Sequence, residues 1–60
     1  MYIIRDMATG LDRGYDKDGK PDWVREHHLA TKHHSYDIAL KALSHIRKTH
    51  PQAAIVPAVN

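Results

Sequence analysis

Six histidines, four of them in the pairs His27-His28 and His33-His34, are the residues here whose type first suggests chemistry, because neutral imidazole is a common metal ligand and proton carrier. Their spacing argues against a metal centre. Neighbouring residues of an extended segment point to opposite sides, so each pair offers one ligand per side, whereas a closed zinc site gathers four convergent nitrogen or sulfur ligands. His45 and His50 stand five apart and do not share a helix face. No cysteine is present to add a thiolate. The expectation is therefore no metal site and no other cofactor.

The run Asp16-Lys17-Asp18-Gly19-Lys20-Pro21-Asp22 has alternate carboxylates followed by glycine, the pattern by which calcium loops gather oxygen ligands. Two positions before Asp16 stands Gly14, which has no side-chain oxygen, and Arg25 occupies the place of a closing glutamate. The run predicts a solvated hairpin turn with Asp18-Gly19 as its tip. No serine, histidine and carboxylate set sits in a nucleophile elbow or glycine-rich context, so no catalytic residue is nominated and a non-enzyme is expected.

Two groups of residues are suited to binding. Lys41, His45 and Lys48 align on the polar face of a predicted helix, with Arg47 at its apolar edge. Tyr15 stands among Arg13, Lys17 and Lys20, and an aromatic ring with cationic neighbours can anchor a protein partner or stack on a base. Arg25 is a further candidate anchor. Charge is unevenly spread. Asp12 to Asp22 holds four aspartates against Arg13, Lys17 and Lys20, whereas Trp23 to His50 holds five Lys/Arg against Glu26 and Asp37, together with all six histidines. The second half is the basic half, which keeps a nucleic-acid module in view as the alternative to a protein-binding one.

The elements that must position these residues follow from periodicity and punctuation. Tyr2, Ile3 and Ile4 open a predicted strand over residues 2–8, broken by Gly10. Residues 10–22 are polar and read as an exposed hairpin connection; residues 23–31 resume a strand-compatible pattern. Ser35 is a good N-cap, Asp37 suits the first turn, and Arg47, Lys48 and His50 suit the last, which predicts a helix over 36–49. Its apolar arc is Tyr36, Ala39, Leu40, Ala42, Leu43 and Ile46. Pro51 stops it, and Ala53, Ala54, Ile55, Val56 and Val59 form a last strand over 53–59, with Pro57 suited to an edge or a strand end. The expected fold is one α+β domain over residues 1–60: a small antiparallel or mixed sheet in the order β-β-α-β, packed against one amphipathic helix.

With 60 residues and 42% apolar content, the chain has room for one modest core, which disfavours a deep enzyme pocket. The start MYIIRDMATG lacks a signal-peptide pattern and no segment is long enough to span a bilayer. With no cysteine, the expected setting is a reducing cytoplasm. An open strand edge beside so small a core would also suit a homodimer.

Two family resemblances add expectations. The segment from Asp16 to Leu43, with its Asp-Gly turn, strand and Ser35-Tyr36-Asp37-x-Ala39-Leu40 helix entry, resembles the arm-type DNA-binding domains of tyrosine recombinases. That resemblance implies a sheet face in the major groove, with Arg25, His27 and Lys32 as the basic contacts. The full β-β-α-β order, with its Ser35 to Leu43 helix entry and Ile55 to Val59 closing strand, is similar to small phage proteins that inhibit host machinery. It implies a phage or mobile-element accessory protein that binds a host protein.

Overall fold

Alternation in the first strand sets up both faces of the sheet. In the computed structural model of the chain, which describes residues 1–58, β1 (Tyr2–Asp6) buries Ile4 on one side and Ile3 on the other. The strand ends at Asp6, two residues short of the expected 2–8, because the Asp6 carboxylate accepts the Ala8 backbone N–H at 2.9 Å and turns the chain. Gly10, at φ 77°, completes that turn by donating to the Asp6 carbonyl at 2.7 Å.

The expected α+β class holds: one antiparallel four-stranded sheet, in the order β3-β2-β1-β4, is packed against one helix. The strand, strand, helix, strand succession is present, with one more strand than expected. Residues 10–22, expected to be loop, contain β2 (Asp12–Tyr15) and open β3 (Pro21–Val24), paired with Arg13 opposite Trp23. The tip is a turn in which Asp16 N–H donates to Lys20 O, Gly19 N–H donates to Asp16 O, and Gly19 takes φ 79°. A type I turn closed by a left-handed glycine is the usual three-residue hairpin connection. The Asp16 carboxylate accepts the N–H groups of Asp18 and Lys20, each at 2.9 Å.

The expected strand over 23–31 is corrected in turn. Only Trp23 and Val24 lie in β3; beyond them a 3-10 turn forms at His27–Leu29. This segment crosses the sheet face opposite the helix. At Gly14 a Cβ would stand 2.5 Å from the Leu29 carbonyl oxygen, so only glycine admits the crossing. Residues 30–33 then enter between β1 and β2, which pair where Arg5 faces Asp12 and diverge beyond. Thr31 N–H donates to Arg13 O at 3.0 Å, and Tyr2 and His33 exchange two N–H···O bonds of 2.8 Å. One inserted segment thereby satisfies the backbone groups of both diverging strands.

The helix α1 (Tyr36–Ile46) starts where expected, with Ser35 Oγ accepting the Ile38 N–H at 3.2 Å. It ends three residues earlier than expected, and residues 47–49 form a turn held by N–H donation from Lys48 to His45 O and from Thr49 to Ile46 O. Ala39 and Leu43 are buried, Leu43 packing with Ile4 and Ala53, whereas Tyr36 and Leu40 remain about half exposed at the edge of the arc. β4 (Ala53–Pro57) pairs antiparallel with β1, placing Ile55 opposite Ile4. The expected end of that strand at Val59 lies outside the described residues. No helix among the described residues is long and apolar enough to cross a membrane.

Candidate functional site

The β2–β3 hairpin and α1 enclose a shallow groove on the helix side of the sheet. Arg13 and Tyr15 reach it because alternation in β2 sends Asp12 and Gly14 to the opposite face. His45 enters from the last turn of α1, and Ala42 and Ile46 supply an apolar floor with Pro21. The groove has a volume of about 240 Å³, and among the described residues no carboxylate lines it. Arg13 lies over the Trp23 ring at 5.2 Å, a cation–π contact that holds the guanidinium beside the groove. Tyr15 is 55% exposed, an aromatic ring presented to solvent.

Three of the seven residues singled out for partner binding, Arg13, Tyr15 and His45, thus come together. The other four are dispersed. Arg25 lies near Thr9, Gly10 and Leu11 beyond the far end of β3. Lys41 and Lys48 are exposed on and just past the helix. Arg47 donates from Nε to the Ala53 carbonyl at 3.0 Å, tying the helix end to the start of β4.

Behind the groove, the end of α1 is latched to the hairpin through a directional chain. The Trp23 indole can only donate, so His50 Nε2 accepts from it, at 3.1 Å. The His50 proton then sits on Nδ1 and is donated to Thr49 Oγ1 at 2.9 Å, while the Thr49 hydroxyl donates to Ile46 O at 3.3 Å. His50 Nε2 is therefore the acceptor that fixes the indole within the fold. The ring packs against Trp23 with a centroid distance of 4.8 Å.

A second cluster occupies the opposite face and was missed by sequence reasoning. Asp12 is 1% exposed, and each of its carboxylate oxygens has a partner. Arg5 Nε donates to Oδ1 at 2.8 Å and His27 Nδ1 to Oδ2 at 2.7 Å. Arg5 lies opposite Asp12 in the β1–β2 register, while the 3-10 turn brings His27 over the strand. The Asp12 hydrogen bond, joined by the pair's Coulombic attraction and only partly opposed by desolvation, raises the Arg5 guanidinium above its ordinary value. Because His27 Nδ1 carries the proton given to Asp12, its 3.5 Å approach to Arg5 Nη2 is not a hydrogen bond. The signal that could have found this site is the placing of Asp12 one residue from a turn, where it can face Arg5 across a tight β1–β2 connection.

Among the described residues, no three His, Asp or Glu side chains converge to hold a metal ion. Compared with protein-family models, with curated proteins and with solved structures, the chain matches none.

Proposed function

We propose that this chain is a non-catalytic binding module that engages a protein partner through the groove between the β2–β3 hairpin and α1. The observation that carries this is the meeting of Arg13, Tyr15 and His45 over an apolar floor of Pro21, Ala42 and Ile46, with no acidic side chain in the lining. An exposed aromatic and an oriented arginine are the side chains that most often anchor protein interfaces. The matching partner segment carries an acidic residue beside an apolar one. Elsewhere on α1, Tyr36, Ile38 and Leu40 are each about half exposed, apolar surface of the kind protein interfaces cover.

Nucleic-acid binding by the basic half is the competing function. It is the less favoured because the cations do not form one stripe: Arg5 pairs with Asp12, Arg13 covers Trp23, and Arg47 is tied to the Ala53 carbonyl.

The test places a photo-crosslinking residue at position 15 and captures the partner from host extract with and without nuclease. Capture of one protein, insensitive to nuclease and weakened about tenfold or more by His45→Ala, supports the groove. Nuclease-sensitive capture whose affinity falls steeply with salt transfers the function to nucleic acid. Capture that Arg13→Ala and His45→Ala leave unchanged places the contact elsewhere on the molecule.

A further inference from the structure

The face of the sheet opposite the helix carries a separate pocket of about 420 Å³, lined by Ile3, Arg5, His27, Lys32, Pro57 and Ala58. Its polar lining is wholly basic. Among the described residues the one carboxylate nearby, Asp12, lies beneath Arg5 and His27, 1% exposed, with both oxygens already engaged. That arrangement fixes the direction of both basic groups. Arg5 uses Nε on Asp12 and, among the described residues, has no carboxylate on its two Nη groups; His27 uses Nδ1 and keeps Nε2. Lys32 forms no ion pair among the described residues and adds a full positive charge from the segment that crosses the sheet.

We infer that this pocket binds a phosphate group, free or as a monoester, between Arg5, His27 and Lys32. Arg5 presents its remaining N–H fork to two phosphate oxygens, the geometry in which arginine outperforms lysine, and Lys32 contributes a mobile point charge. His27 Nε2 serves phosphate in either protonation state, accepting from P–OH when the ring is neutral and donating to P–O⁻ when it is charged. A buried carboxylate that orients basic groups toward a ligand is the second layer that such sites need to hold their geometry. The apolar wall of Ile3, Pro57 and Ala58 lies beside the charges and would take the carbon portion of an ester. The inference is independent of the groove, which lies on the other side of the sheet.

The test is titration of the ¹⁵N-labelled chain, at constant ionic strength, with inorganic phosphate, glycerol 3-phosphate and acetate. Saturable shifts confined to the neighbourhood of Arg5, His27 and Lys32, with acetate far weaker, are expected. Tighter binding of glycerol 3-phosphate identifies a monoester as the ligand, and equal binding identifies inorganic phosphate. Lys32→Ala, an exposed position that the fold does not use, should weaken binding about tenfold, the loss of one charge-assisted contact. Arg5→Gln should weaken it further, and Lys17→Ala at the hairpin tip should leave it unchanged. Acetate binding as tightly as phosphate, a Lys17→Ala effect equal to that of Lys32→Ala, or no saturable shift at the pocket would each overturn the assignment.

Discussion

At Asp12 a buried carboxylate meets two donors and nothing else, which makes the residue intolerant of even an isosteric change. In Asp12→Asn the side-chain amide NH₂ must face either Arg5 Nε, donor against donor, or His27 Nδ1, which can accept only by moving its proton to Nε2, and in both orientations the charge-assisted bond to Arg5 is lost or weakened. The expected loss is about 2 kcal/mol, read as a lower urea midpoint with an unchanged slope. Gly14 is a second such position. Gly14→Ala puts a methyl against the Leu29 carbonyl and the Val24 side chain and should destabilise by about 1–3 kcal/mol on the same measurement. Neither role was legible in the sequence. Asp12 stands among four aspartates and Gly14 among three glycines of a polar stretch, and both look like turn residues until the 3-10 segment is laid over them. Tyr15 and Arg13 were legible, because an aromatic flanked by cations stands out whatever the backbone does.

Among the elements, the helix start was readable to the residue and its end was not. Ser35 caps α1 through its own side chain, so Ser35→Ala should lower stability by about 1 kcal/mol, detectable as a lower Tm with helical circular dichroism otherwise retained. The end was obscured because Arg47, Lys48 and His50 all suit a helical last turn, yet His50 is drawn away to accept from Trp23, and Arg47 to donate to Ala53. His50→Ala should free the indole, giving red-shifted Trp23 emission together with a loss of about 1–2 kcal/mol from the missing acceptor and ring contact. The same physics hid β2. Strand recognition relies on apolar alternation, and the positions of β2 that face away from the helix are Asp12, matched by an arginine and a histidine, and Gly14, matched by a passing backbone. β1 and β4, which do alternate or run apolar against the helix, were found.

For the molecule as a whole, stability is concentrated where β1 lies between neighbours on both sides. Ile4, Leu43 and Ala53 form the centre of the core, with Trp23 and Ile55 packed against it, while the hairpin tip carries only Asp16-based turn bonds. Native-state hydrogen exchange should therefore show the slowest amides in β1 and the fastest around Lys17 to Gly19. The α+β class and the one-helix architecture were legible because they depend on composition and helix period. The path of residues 25–34 was not, since it is set by hydrogen bonds to strands that are distant in sequence.

The pairing of β1 with β4 sets Tyr2 opposite Pro57. The core strand of the sheet therefore acquires one of its neighbours only by closing a loop that contains nearly the whole chain. Loop-closure entropy grows only with the logarithm of length, so the final stability suffers little; the timing of folding bears the effect. The β2–β3 hairpin and α1 contain only local contacts and can assemble early, and α1 covers Ile4 through Leu43, but one edge of β1 stays unpaired until the last strand arrives. During that interval the newly made chain exposes apolar side chains beside an unpaired strand edge, so aggregation competes with folding at that step.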